Sequence, residues 1–218
     1  MEAGIVFDFD FIQRHAAERI AAAEIIFQPF PYTVIEDILP DDYFDYLIAA
    51  RPDADTLGVP LNQYFNFAGV PTDPHFARIP PEHQKAWVDF SLKISLPVYR
   101  EALLSRFAAF IPQKLDMMFG EGWISRCRAA MPGKSDTEIM AHLVSGDCSR
   151  PASSLGRLIV TRGDYPLPPH VDDCDSVFTM VNYFAPDNRY EHCGTRLNIT
   201  KDPTEVIEKF RERKSCMV

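Results

Sequence analysis

In this sequence of 218 residues the short run His170-Val171-Asp172 is the feature best suited to chemistry. Side chains alternate along an extended backbone, so an imidazole and a carboxylate two positions apart emerge on one side and can both reach a single metal ion. A chain with six histidines and this content of aspartate holds roughly 0.5 such triplets by chance, so the pattern draws its weight from its surroundings. Two other metal arrangements involve the same region. Asp172, Asp173 and Asp175 with Cys174 form an acidic knot, and His192-Cys193 could join them as zinc-type donors. Zinc asks for four ordered ligands and calcium for many oxygens, and the spacing suits neither closely.

The elements that must position this triplet follow from periodicity. Upstream, Leu158 to Thr161 is a β-branched run, Arg162-Gly163-Asp164 is a turn, and Tyr165 precedes the triplet. Downstream, Val177 to Phe184 is a second run of strand formers that stops at Pro186-Asp187-Asn188. Gly194 to Ile199 forms a further short strand, and Asp202-Pro203 caps a charged helix from Thr204 to Lys214. The N-terminal part is helical. Phe11 to Phe27 puts Ile12, Ala16, Ile20 and Ala23 on one face, ended by Pro29 and Pro31. An extended piece, Tyr32 to Ile35, leads to a helix that starts at Leu39-Pro40-Asp41-Asp42 and runs to about Ala50.

Residues 51–79 lack a sustained period and read as a long ordered loop, with Tyr64, Phe65, Phe67 and Phe76 as plugs for the core. The helical period returns from Pro81 to Phe119, in two or three helices that Pro97 and Pro112 break or kink. Helices first and strands afterwards make an α+β protein of one domain, in which helices cover a sheet.

The order strand, glycine turn, Tyr165, His170-x-Asp172, strand and then Gly194-Thr195-Arg196-Leu197 resembles the double-stranded β-helix core of the Fe(II)- and 2-oxoglutarate-dependent oxygenases, including the branch related to prolyl hydroxylases. The stretch Val34-Ile35-Glu36-Asp37-Ile38-Leu39-Pro40-Asp41 is similar to that family's opening strand and helix. The resemblance implies a jelly-roll, cupin-like core. Residues 1–150 would be mainly a helical layer, 156–200 the first barrel strands, and 203–214 a terminal helix. It makes His170 and Asp172 the first two ligands of Fe(II) and places Tyr165 near the 2-oxoglutarate cosubstrate. The reaction it implies is oxidation, most commonly hydroxylation, of a small molecule or a peptide.

In that family a second histidine ligand and a basic residue for the cosubstrate lie on late strands. Here 21 residues follow Leu197 and contain no histidine, and His192 is the only histidine after Asp172. The barrel is therefore expected to be incomplete, with an unpaired edge and an uncovered apolar face that self-association or a partner chain would cover. The alternative expectation is a catalytically inactive relative that works as a binding module through that face.

Composition narrows the partners. Lys and Arg number 22 against 31 for Asp and Glu, and the net charge of -9 disfavours phosphate backbones and anionic membranes. No apolar run approaches the roughly 20 residues that span a bilayer, and the first residues carry acids where a signal peptide carries bases. A cytoplasmic protein is expected. Five cysteines with no C-x-x-C pair point to reduced thiols rather than to a disulfide framework.

Overall fold

Asp8 starts the first helix by accepting the Phe11 N–H at 3.1 Å, which satisfies one of the donors that a helix leaves open at its beginning. That helix, α1 (Phe9–Ala22), buries Ile12, Ala16 and Ile20, the face expected from its period. It ends before the expected Phe27. Ala23 turns extended, and the Arg106 guanidinium donates to the Ala23 carbonyl, so the open end of the helix is closed by a side chain from far along the chain. The computed structural model describes residues 6–69, 71–113, 122–135, 138, 157–163 and 179–185. After α1, a bridge between Ile26 and Tyr32 closes a loop, and α2 (Asp41–Ala49) follows Pro40 with two acids in its first turn, as its sequence requires.

The stretch 51–79 is more ordered than its composition suggests. Asp53 caps a single turn, α3 (Ala54–Leu57), which Gly58 ends at φ 70°. Strand β1 (Gln63–Ala68) then pairs antiparallel with β2 (Arg157–Arg162), from Gln63 against Arg162 to Ala68 against Arg157. The alternation of Tyr64, Phe65, Asn66 and Phe67 is too short to announce a strand by itself. The partner that makes it one lies in a distant part of the sequence, so the strand is a product of tertiary pairing. A 3-10 turn (Phe76–Arg78) buries Phe76, and Phe67 is buried as expected of a core plug. Tyr64 instead lies on the outer face of the sheet, at 36 % exposure.

Helix α4 (Pro81–Asp89) continues into a π-helix (Phe90–Tyr99) and then α5 (Arg100–Arg106). Pro97 was expected to break or kink this segment, and its effect is absorbed by the wider π turns. Gln13 of α1 donates to the Lys93 carbonyl, its Nε2 lying 2.9 Å from that oxygen, and so ties α1 to the π-helix. Helix α6 (Trp123–Ala130) follows.

The core is one cluster in which α1, α2, α4 and the π-helix meet, with Trp87, Tyr43, Phe67 and Phe76 as its largest buried side chains. Trp87 ties α4 to the end of α2 by donating its indole N–H to the Ala50 carbonyl at 2.7 Å, wholly within the core. Phe65, Leu158 and Val160 pack the inner face of the sheet against this cluster. Among the described residues the fold is thus α+β: a helical layer against a two-stranded antiparallel sheet. Residues 179–185, expected within a strand, belong to no regular element. The strand at 194–199 and the helix at 204–214 lie outside the described residues. Among the described residues no helix is long and apolar enough to cross a membrane.

Candidate functional site

The end of β2 is held on three sides immediately before the segment that carries the triplet. The Arg162 guanidinium pairs with Asp55 at 2.6 Å and donates to the Val59 carbonyl at 3.2 Å, while the Arg162 carbonyl accepts the Asn62 N–H at 2.7 Å. The next residue, Gly163, turns the chain at φ 73°, a backbone region that L side chains avoid. The conformation favours glycine, and a Cβ there would lie 2.6 Å from the Asn62 side-chain oxygen and push that exposed side chain aside. Of the expected turn Arg162-Gly163-Asp164, the described part is the left-handed bend at Gly163, and Asp164 lies outside the described residues.

Downstream, the chain is held by aromatic packing. The Phe184 ring meets Trp87 edge-on at 5.0 Å and Phe90 edge-on at 5.6 Å, and it stacks on Phe44 at 5.9 Å. Met180 packs against the same core. Gly163 thus follows β2, and Met180 and Phe184 pack on the helical layer. Tyr165, His170 and Asp172 fall between these two anchors and lie outside the described residues, as do Asp173, Cys174, Asp175, His192 and Cys193. The outer face of the sheet carries Tyr64, Asn66, Ile159 and Thr161, with Ile159 60 % exposed.

Elsewhere, several of the described acids and imidazoles serve the local structure. His15 lies 2.8 Å from the Asp37 carbonyl and donates to it through Nε2. His75 stands against Phe65, ring centres 4.5 Å apart, beside Asp73. Asp73 accepts the N–H groups of Ala68, His75 and Phe76 at 3.1, 2.9 and 3.5 Å. Desolvation opposes its charge, yet these donors hold its carboxyl below the ordinary carboxylate value. Asp53 is likewise held low, chiefly by the Thr56 N–H that it caps.

His83 lines a shallow cavity of about 100 Å³ together with Arg51, Asp53 and Thr56. Among the described residues no three histidine, cysteine or acidic side chains converge as a metal site would require.

Sequence reasoning missed Asp55, Val59 and Asn62 as the supports of the strand end. The available signal was an arginine followed by glycine at the end of a strand, which marks a turn needing both a tether and space. No family model, no curated protein and no solved structure matches the chain.

Proposed function

We propose that this chain carries an iron site of the 2-oxoglutarate oxygenase type, with His170 and Asp172 as two of its ligands and Tyr165 beside the cosubstrate. One observation carries the reading furthest. The segment holding all three residues is bounded by a strand end pinned through Arg162 and by a return to the core through Met180 and Phe184, so both of its ends belong to one frame. A ligand pair needs such support, because metal affinity falls when the surrounding groups do not fix the donors.

An imidazole and a carboxylate suit divalent iron as donors, and this pair leaves coordination positions for other molecules. When bound, iron with 2-oxoglutarate supplies an oxidant able to take hydrogen from a C–H bond. The chain's own work is to hold the imidazole neutral and the carboxylate ionised toward one point, and to keep water away. A jelly-roll core, of which β2 is an opening strand, belongs to this reading. So do a small-molecule or peptide substrate and a cytoplasmic setting.

Anaerobic titration with Fe(II), followed by 2-oxoglutarate, tests the proposal. Stoichiometric binding and a charge-transfer absorption band are expected, with loss of both in His170→Ala. Folded protein that binds no iron would overturn it.

A second reading draws on the exposed Ile159 on the outer face of the sheet. In it the chain is a non-catalytic relative that binds a partner, or a second copy of itself, across that face. Ile159→Lys should then abolish association in sedimentation experiments and leave iron binding unchanged.

A further inference from the structure

The end of α2, the single turn α3 and the start of α4 border the cavity of about 100 Å³ that His83 lines. Its buried lining residues are apolar, Leu57 and Ile79, while Arg51, Asp53, Thr56 and His83 bring polar groups from the more exposed side. Bonds from side chains to carbonyls hold the walls together. Trp87 of α4 donates to the Ala50 carbonyl, next to Arg51, at 2.7 Å. The Arg78 guanidinium donates to the Leu57 carbonyl at 2.9 Å, and the Gln84 amide donates to the Ile79 carbonyl at 2.6 Å. A cavity fixed in this way is preformed, so a ligand that enters it has little to order. Asp53 is committed to the fold, one of its oxygens accepting both the Thr56 N–H at 2.8 Å and the Thr56 hydroxyl at 3.1 Å. Arg51 and His83 are not, since neither side chain has a hydrogen bond or an ion pair among the described residues.

We propose that this cavity binds a short-chain monocarboxylate, its charged end on Arg51 and His83 and its hydrocarbon end on Leu57 and Ile79. A guanidinium presents a planar fork of donors that matches the two oxygens of a carboxylate, and an imidazole adds one more ring N–H. The buried apolar lining rewards a hydrocarbon tail, which inorganic anions lack. Asp53 limits the ligand to one negative charge, because a carboxylate on the same cavity repels a second. Size sets the length of the tail. A cavity of ~150 Å³ admits a benzene ring, so one two thirds as large takes a tail of two or three carbons with its carboxylate toward solvent.

Titration of the full chain with propionate, followed through backbone amide resonances, tests the site. Saturable shifts are expected at residues 51–57 and 79–83, with a dissociation constant on the order of millimolar, as suits so few atoms. Propanol, which has the tail without the charge, and sulfate, which has charge without a tail, should bind at least about tenfold more weakly, the loss of one charge-assisted contact or of the buried tail. Arg51→Gln should weaken propionate by a similar factor, and because Arg51 is exposed the variant keeps its fold. No saturable shift at concentrations well above millimolar would overturn the proposal. Sulfate that shifts the same amides as strongly as propionate, or propionate binding unchanged in Arg51→Gln, would overturn it equally.

Discussion

Replacing Gly163 by alanine probes the junction on which the candidate site depends, and Gly58 provides an internal control. Both glycines sit at left-handed φ, 73° and 70° respectively, so alanine pays the same conformational cost at each, about 1–2 kcal/mol. Their surroundings differ. A Cβ on Gly58 would meet nothing within 4 Å, whereas one on Gly163 would lie 2.6 Å from the Asn62 side-chain oxygen and 3.1 Å from Leu61 Cδ1.

Both groups end exposed side chains, Leu61 at 70 %, so moving them aside adds only about 0.5 kcal/mol, the scale of a surface change. Urea denaturation of the two variants should therefore rank Gly163→Ala as the more damaging by that margin. Asn62→Gly in the Gly163→Ala background removes the obstructing oxygen and relieves a positive φ of 56°, so it should recover most of the added part. Equal losses at the two glycines would refute the reasoning. They would mean that the end of β2 yields freely.

Phe184→Ala removes a ring that touches Trp87, Phe90 and Phe44, and should cost about 2–4 kcal/mol by urea denaturation, given its partial burial. A loss below about 0.5 kcal/mol, the level of an ordinary surface change, would show that the chain does not rejoin the core there. Trp87→Phe keeps most of the apolar volume and leaves the buried Ala50 carbonyl without its donor, for an expected loss of about 1–3 kcal/mol. A neutral result would contradict the bond.

Asp89 lies between Lys85 and Lys93. Although burial opposes its charge, hydrogen bonds from the two lysines hold its carboxyl below the ordinary carboxylate value. A folded pKa below the unfolded one makes its contribution complete above the unfolded value of about 3.9 and lost as pH falls through the folded value. The stability gap between the wild type and Asp89→Asn should therefore close in acid. A gap unchanged from neutral pH to the acid limit would contradict the ion pairs.

What the sequence made legible and what it concealed divide along a physical line. Helix starts marked by local chemistry were readable, as with Pro40-Asp41-Asp42 before α2 and the buried stripe Ile12, Ala16 and Ile20 of α1. Features that depend on distant partners were not. The early end of α1 is fixed by Arg106, and β1 is a strand because β2 pairs with it.

Pro97 shows the same division. The proline announced a disturbance, but not that the segment would run on as a π-helix packed on α1 and tied to it by the amide of Gln13. At the candidate site, the glycine turn and the strand before it were legible. The tether from Arg162 to Asp55 was not, since ion pairs between exposed side chains leave no period in a sequence. His170, Asp172 and Tyr165 remain a reading of residue types and order, supported by the frame on either side of them.

The most direct test is to locate iron in crystals of the protein soaked anaerobically with Fe(II), using diffraction at the iron absorption edge. The account predicts a single strong peak bonded to both an imidazole nitrogen of His170 and a carboxylate oxygen of Asp172. An iron site elsewhere, or a well-defined structure with these two side chains on opposite sides of the backbone, would contradict it.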